Sequence, residues 1–420
     1  MLPPDLLRVT ADEARAWVED GWALEERLYS SIADEAYARV ADPLRRPLLF
    51  YLGHTASFFA NKLAQAGLFP DPVHDDFDPL FAAGIDEMPG DEMDHGKIAL
   101  PPLEDVRAYR ADVLHKVRAV LDRFEGAVNA SGPWWALFMA ADHQRIHIET
   151  SALLVRQLPS ALVRRPDGWN DAPVGGEPPP PSWVTVPEGT VRLGKPKNHP
   201  SFGWDIEYGE RVVDVPTFRV GRTLVSNREY AELVAVGGYA REDLWTPAGW
   251  RWRAAAGATH PRFWIPTGDR FRLRGVFEEI DMPWAWPVEV NWHEAHAYSR
   301  WRGTRLPTEA EHQRMRQTGA PANLGLAFAS PTPVDHFPAQ RNGVHDAAGN
   351  VWRHLEDVLQ PLPGFRPHPL YLDYSRTSFD GEHQMMLGGS FLTSGAMATP
   401  FARDWFRPHI FQAAGIRLVK

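Results

Sequence analysis

A run of prolines near the middle of the chain constrains the fold more than any other feature of the sequence. Pro178 to Pro181 are consecutive prolines, and Pro173 stands shortly before them. Consecutive prolines lack amide donors and hold the backbone extended, so this stretch can continue neither a helix nor a central strand and acts as a stiff spacer. We therefore predict a first domain over residues 1–172, a linker over residues 173–182 and a second domain over residues 183–420.

The first domain carries the sequence signals of a helical bundle. Thr10 and Glu13 have the spacing of a capping box, which predicts a helix running toward Tyr29. A later helix begins at Leu103 and has an apolar stripe at helical spacing: Val106, Tyr109, Val113, Val117, Val120, Leu121 and Phe124. With two further apolar segments described below, these helices predict a four-helix bundle, in which metal sites form between facing helices. An acidic loop at residues 84–92 joins the second and third helices.

Two histidines in the last of these helices, His143 and His147, are four residues apart. On a helix this spacing places both side chains on one face, one turn apart, where two imidazoles can bind one divalent metal. The face continues through mainly apolar residues: Met139, Ala140, Thr150 and Leu154. Glu149 projects from nearly the opposite side and is a poor candidate for a third ligand. From this pair alone, a metal site and two hydrogen-bonded core histidines are about equally good interpretations.

A third histidine, His54, lies in a strongly apolar segment that is typical of a core helix. Its predicted face is shared by Phe50, Tyr51, Ser57, Phe58 and Asn61. If this helix packs beside the one that carries His143 and His147, the three imidazoles meet. Three histidine ligands leave coordination positions open, as a catalytic metal requires, whereas His54 alone would be interpreted as a structural histidine.

Composition excludes several classes of protein. The chain of 420 residues is 44% hydrophobic, and no apolar run approaches the roughly 20 residues that a membrane helix needs. A net charge of −10 without a basic cluster argues against nucleic acid as a partner. The N-terminus lacks a basic region followed by an apolar stretch, and the chain has no cysteine. We therefore expect a cytoplasmic protein that has no disulfides and no thiolate chemistry of its own.

The second domain differs in composition, with many tryptophans and glycines and short runs of strand-forming residues, which predicts a loop-rich α+β structure. Helices are predicted to open at Ser226 and at Trp292. His293 and His296, three residues apart, fit a metal by spacing. Their polar, alanine-rich surroundings favour a solvated helix face instead.

Several motifs make the second domain resemble the formylglycine-generating-enzyme-like fold, a C-type-lectin-like architecture. The motifs occupy residues 291–298, 301–311, 349–352, 388–391 and 414–417. True formylglycine-generating enzymes work through cysteines, and this chain has none. The resemblance therefore implies the fold and not that activity.

The whole chain resembles the non-heme iron sulfoxide synthases, in which a DinB-like bundle with a His-x3-His-x-Glu motif precedes such a domain. These enzymes join a thiol to the imidazole of a histidine derivative with O2. Residues 51–59, 147–159, 203–209 and 406–409 are similar to the ovothiol branch, the 5-histidylcysteine sulfoxide synthases. The resemblance implies coupling of cysteine to histidine. The alternatives are an ergothioneine-type reaction of hercynine with cysteine or γ-glutamylcysteine, a DinB-like zinc-dependent thiol transferase, and a non-catalytic ligand-binding module.

The same resemblance implies roles for individual residues. His54, His143 and His147 would hold Fe(II), although ligand type alone suits zinc equally. Tyr371 would supply a hydrogen during the oxygen reaction, and Tyr374 would line the pocket for the histidine substrate. Roles in binding the amino-acid substrates are implied for one segment near the C-terminus: Arg403, Asp404, Trp405 and Arg407.

Two departures from the family pattern concern the second domain. Arg353-His354 stands where Glu-Trp is usual, and His312 stands where a tryptophan is common, changes that could alter the substrate pocket. The sequence ends at Lys420, without the methyltransferase domain of many ovothiol-branch proteins. We therefore expect any methylation of the product to need a separate methyltransferase.

Overall fold

The structure, a computed structural model, describes residues 3–82, 98–317 and 319–420. The acidic loop predicted at residues 84–92 lies outside the described residues. Helices make up most of the first part of the chain and short strands most of the second, which confirms the prediction of a mixed helical and sheet fold. Among the described residues, no helix combines the length and the apolar content needed to cross a bilayer.

Long helices pack against one another in the first 160 residues or so, and all of them follow the sequence signals. They are α1 (Ala11–Tyr29), α2 (Leu48–Gln65), the short α3 (Phe77–Leu80), α4 (Leu103–Leu121) and α5 (Trp135–Gln157). The capping box that begins α1 is formed, since Glu13 N donates to Thr10 Oγ1 at 3.2 Å and Thr10 N donates to Glu13 Oε2 at 2.9 Å. The apolar stripe of α4 is buried, and α2 packs against both α4 and α5.

Short strands and helices build the rest of the chain around a four-stranded sheet. The sheet has the order β10-β9-β8-β11, with β11 parallel to β8 and the other pairs antiparallel. The elements in chain order are β1 (Trp183–Val186), β2 (Gly189–Leu193), β3 (Arg211–Val215), β4 (Phe218–Gly221), α6 (Asn227–Ala235), α7 (Pro247–Ala256), β5 (Trp264–Thr267), β6 (Arg270–Arg274), β7 (Glu279–Asp281), α8 (Trp292–Trp301), α9 (Glu309–Met315), β8 (Trp352–Val358), β9 (Gln384–Leu387), β10 (Asp404–Phe406) and β11 (Ala414–Gly415). No helix or strand occupies residues 173–182.

Helix α5 connects the two parts of the molecule. It is buried along nearly its whole length and contacts residues of both parts. Near its end, Arg156 Nη1 pairs with Glu289 at 2.7 Å, and Arg156 Nε donates to the carbonyl of Arg274 at 2.7 Å. In its middle, Glu149 accepts hydrogen bonds from residues beyond the proline run. Removing one partner of a buried ion pair lowers the free energy of unfolding by about 3–5 kcal/mol. These contacts therefore fix α5 against the sheet-containing part.

The prediction of a solvated face for His293 is wrong. His293 is only 6% exposed and packs against Trp252 of α7 and against Trp292. Burial lowers its pKa to about 4. The alanine-rich neighbourhood in sequence gave no sign of the tryptophan that covers this histidine from another helix.

Candidate metal centre

The three predicted histidines meet between α2 and α5. His54 comes from α2, and His143 and His147 come from one face of α5. One side-chain ligand atom from each lies within 4.8 Å of those from the other two, and the three rings are nearly fully buried. The Nε2 atoms of His143 and His147 are 3.1 Å apart. This arrangement confirms the geometric prediction that the third histidine lies beside the pair.

Hydrogen bonding fixes which nitrogen of His54 faces the centre. His54 Nδ1 donates to the carbonyl oxygen of Phe81 at 2.6 Å, which leaves the lone pair on Nε2. Within the described residues, His54 Nε2 has no hydrogen-bond partner. Buried acceptors without a donor are costly, and a divalent metal among three imidazole nitrogens would satisfy them.

Close packing of small and aromatic residues makes this convergence possible. A side chain at Gly53 would come within 2.5 Å of the Phe81 ring, so glycine is required for Phe81 to reach His54. Phe58 stacks on His143 with a centroid distance of 3.5 Å and an angle of 9° between the rings. These contacts restrict the rings to the orientation that a metal would need.

Burial keeps the three imidazoles neutral, which is the form that binds a metal. Burial lowers the pKa of His54 to about 4. Burial, followed by repulsion from neighbouring positive charge, lowers the pKa values of His143 and His147 well below the usual range. At neutral pH all three rings can therefore act as ligands without first losing a proton.

Glu149, the last residue of the His-x3-His-x-Glu motif, points away from the centre. Its carboxylate accepts from Trp352 Nε1 at 2.8 Å, from Ser390 Oγ at 2.6 Å and from Thr393 Oγ1 at 2.7 Å. The metal-ligand group found among the described residues does not include it. These hydrogen bonds hold α5 against the sheet-containing part, and the side chain points away from the three imidazoles, as its predicted direction on the helix indicated.

A phenol from the far part of the chain lies beside the metal-ligand group. The ring of Tyr371 is 6.4 Å from that of His143 and 5.3 Å from that of Phe58, measured between centroids. Lys62 of α2 holds this ring from one side, with its Nζ 4.7 Å from the Tyr371 centroid, and also donates to the carbonyl of Leu370. The structure thus brings the predicted tyrosine to the predicted histidines.

Sequence reasoning missed Lys62, although a signal was available. His54, Phe58 and Lys62 follow one another at intervals of four residues and therefore run along one side of α2. An ammonium beside an aromatic ring on an otherwise apolar helix was the feature to notice.

Tyr374 packs among aromatic residues of the sheet-containing part. Tyr374 stacks on Trp204 at a centroid distance of 4.3 Å and meets Trp405 edge-on at 5.5 Å. Burial, reinforced by the neighbouring charge of Glu149, raises the pKa of Asp404 to about 8. Asp404 therefore stays largely protonated at neutral pH and can donate as well as accept a hydrogen bond.

The two predicted carboxylate-binding arginines have internal partners instead. Arg403 is buried, and its Nε and Nη2 donate to Glu309 at 2.7 and 3.1 Å. Arg407 pairs with Asp380 at 3.1 Å and also with Glu382. No described contact joins either arginine to the three histidines. The guanidinium of Arg403 is therefore engaged with a carboxylate of the chain itself.

Comparison with known proteins places the chain in a family. Residues 172–420 match the family described as "Sulfatase-modifying factor enzyme 1-like domain". The chain is 32% identical to hercynine oxygenase from Mycolicibacterium smegmatis, with 92% of this chain and 93% of that protein covered. Hercynine oxygenase from Mycobacterium tuberculosis is also 32% identical, with 90% and 91% covered. Ergothioneine biosynthesis protein 1 from Schizosaccharomyces pombe is 24% identical over 90% of this chain and 52% of its own length.

Proposed function

We propose a function from the premise that this chain belongs to the hercynine oxygenase family of sulfoxide synthases and carries a sulfatase-modifying-factor-like second domain. The chain is an oxidoreductase of that class. We infer that it couples the thiol of cysteine or γ-glutamylcysteine to the imidazole ring of hercynine with O2. The relatives named above favour hercynine over histidine as acceptor, so the ovothiol-type reaction becomes the second arm of the test rather than the main proposal.

The reaction balances with O2 as the sole oxidant. The thiol loses its S–H hydrogen, the imidazole carbon loses its C–H hydrogen, and a carbon–sulfur bond forms between them. One oxygen atom of O2 becomes the sulfoxide oxygen, and the other leaves as water with the two hydrogens. O2 thus accepts four electrons, two from bond formation and two from oxidation of sulfur.

The donor set fits Fe(II), and we assign the metal to His54, His143 and His147. Fe(II) bound there would supply the one-electron chemistry with O2 that a thiol and an imidazole lack. Neutral nitrogen ligands on one side would leave the other side of the ion open to substrates. The resemblance of the bundle to DinB-like proteins implies the same three ligands.

One observation carries the proposal: Tyr371, from the second domain, lies beside the ligand group supplied by the first. A phenol at that position can donate a proton during the oxygen reaction and regain a proton when the imidazole ring loses its own. Tyr374, Trp204 and Trp405 form an aromatic surface next to it on which an imidazole ring can stack. Asp404, on the same strand as Trp405, would supply a polar group for the amino-acid portion of a substrate.

The direct test is anaerobic reconstitution with Fe(II), followed by O2 and pairs of substrates, with products identified by mass spectrometry. Cysteine and γ-glutamylcysteine are each combined with hercynine and with histidine. We expect a sulfoxide from hercynine at a rate well above that from histidine. Faster coupling of histidine would replace the proposal with the ovothiol-type reaction, and no coupling with any pair would refute both.

Zinc-dependent thiol transfer predicts a different result in the same apparatus. It requires Zn²⁺ rather than Fe(II) and consumes no O2. Oxygen uptake that needs Fe(II), a thiol and an imidazole together therefore separates the two functions, and it also separates the enzyme from a module that only binds ligands.

A further inference from the structure

A second concave site lies in the sheet-containing part, at a distance from the proposed reaction. It is a cavity of about 590 Å³ that none of the three histidines and neither of the two tyrosines beside them lines. Much of its wall is apolar and conformationally rigid, including Pro4, Pro200, Pro321, Pro338, Ala347 and Pro400. A cavity of this volume with largely apolar walls and several polar groups among them has the character of a small-molecule site.

Arg316, which follows α9, supplies the cationic group of this cavity. Among the residues that the structure describes, its side chain has no ion pair and no hydrogen-bond acceptor. The guanidinium of Arg353 lies close to it, because burial first, and then the charges of Arg417 and Arg316, lower the pKa of Arg353 well below its usual range. A half-buried guanidinium without an anion is costly, since it has lost part of its hydration and gained no partner.

Two carboxylates line the same cavity, but other groups engage both. Burial raises the pKa of Asp346 to about 6, and its Oδ2 accepts a hydrogen bond from Asn350 Nδ2 at 3.0 Å. Asp5 is exposed, and its Oδ1 accepts a hydrogen bond from Leu7 N at 3.0 Å. Neither carboxylate pairs with Arg316, so the cavity keeps one uncompensated positive charge.

Two hydroxyl groups of the lining are buried without a partner. Ser394 and Thr399 are only 5% and 7% exposed, and within the described residues neither hydroxyl has a hydrogen-bond partner. Unpaired buried hydroxyls are uncommon, because each has given up its hydrogen bonds to water. Their presence in the wall of a cavity indicates a ligand with a polar group.

We propose that this cavity binds a small organic monocarboxylate with an apolar body. The carboxylate pairs with Arg316, the hydroxyls of Ser394 and Thr399 supply further hydrogen bonds, and the apolar body packs on the prolines and alanines. A planar guanidinium matches a carboxylate with two parallel hydrogen bonds. One cation among apolar walls suits a single negative charge, whereas a phosphate dianion would need more donors. This site does not depend on the sulfoxide-forming reaction.

Calorimetry on the metal-loaded protein tests the proposal with matched ligand pairs. Phenylacetate and hexanoate are compared with phenylacetamide and hexanamide, which keep the apolar body and remove the charge. We expect the carboxylates to bind at least about tenfold more tightly, because a hydrogen bond to a charged group contributes that much. Equal affinity for acids and amides, or no binding of either acid at millimolar concentration, would overturn the proposal.

Two variants locate the binding. Arg316→Gln should weaken carboxylate binding by at least about tenfold, whereas Arg270→Gln, an exposed arginine on β6, should leave it unchanged. Ala348→Phe should fill the cavity and abolish binding of acid and amide alike, while iron content stays at the wild-type level. Carboxylate binding that survives either Arg316→Gln or Ala348→Phe would place the site elsewhere. Since the acid–amide comparison uses the wild-type protein, it decides the matter even if a variant fails to fold.

Discussion

The two sides of the metal centre are built in different ways. On one side, His54, His143 and His147 project from two long buried helices and are held by stacked rings and a backbone carbonyl. On the other, Tyr371 and Tyr374 lie in a segment of turns. Hydrogen bonds that hold that segment include Lys62 to the Leu370 carbonyl, His368 to Ala130 O at 2.9 Å, and Ser375 to Asp205 at 2.9 Å.

The helical side and the turn side have different tasks. Ligand atoms must be fixed before the metal arrives, and buried helices provide that rigidity. A phenol that joins a reaction with two bound substrates must fit around them, and a turn segment allows small adjustments. We therefore expect changes on the helical side to affect metal binding, and changes on the turn side to affect which product forms.

The largest effect should follow removal of a ligand on the helical side. His54→Ala leaves two imidazoles, so both iron content and turnover should fall by more than about 100-fold, beyond the usual loss for residues that merely support ligands. Iron is measured by elemental analysis after reconstitution. His296→Ala, on α8, is the matched control and should keep its iron. Full iron occupancy in His54→Ala would remove it from the ligand set.

Removing the ion pair at the end of α5 should destabilise the protein next most strongly. Arg156→Met leaves the Glu289 carboxylate buried without its partner, which should cost about 3–5 kcal/mol of unfolding free energy. Replacing both residues, Arg156→Met with Glu289→Leu, should cost less because no charge is stranded. Denaturant unfolding of the two variants gives the comparison, and equal losses would show that the pair itself is unimportant.

The helical side could be predicted from the sequence and much of the turn side could not. Capping residues, an apolar stripe and histidines at four-residue spacing are local signals, and α1, α4 and the His143–His147 pair follow from them directly. The contact of Lys62 with Leu370 and the pairing of Arg403 with Glu309 join distant residues through loops that have no periodicity. The role of Tyr371 is predicted only by the family resemblance, because nothing in its own segment indicates a helix or a strand.

Tyr371→Phe tests the turn side directly. The change keeps the ring and removes the hydroxyl, so iron and substrates should still bind. Coupled sulfoxide should fall and the doubly oxygenated thiol, a sulfinic acid, should rise. A tenfold change in that ratio needs about 1.4 kcal/mol, which the loss of one well-placed donor can supply. Mass spectrometry at matched iron content gives the ratio, and an unchanged ratio would return Tyr371 to a packing role.

Tyr374→Phe is the matched comparison on the same segment. Since Tyr374 stacks on Trp204, the change should weaken binding of the imidazole substrate and leave the product ratio nearly unchanged. A ratio that shifts in both variants would mean that the segment as a whole, rather than one hydroxyl, directs the outcome.

Asp404 should make the free energy of unfolding depend on pH. Its pKa is raised to about 8 in the folded protein, whereas an unfolded aspartate titrates near its ordinary value of about 4. The folded state therefore binds more protons between these values, and the free energy of unfolding falls as pH rises from about 4 toward about 8. Asp404→Asn should flatten that decline. Denaturation curves at several pH values measure it, and parallel curves for the two proteins would contradict the assignment.

The smallest effect is expected from a change at Lys62, which extends from the helical side to the turn side. Lys62→Met keeps the apolar stem but removes the ammonium from the Tyr371 ring and from the Leu370 carbonyl. Iron content should not change. The product ratio should shift about threefold toward the sulfinic acid, since a contact at one edge of the ring is worth a fraction of a kcal/mol to about 1 kcal/mol.

The decisive measurement is the double variant with Tyr371→Phe. If Lys62 acts by positioning the phenol, it has nothing to position once the hydroxyl is gone, so the second change should add no further shift. Additive shifts would mean that Lys62 acts on a substrate directly. Helix α2 would then both bind the metal and direct the product, and the two sides would not have separate tasks.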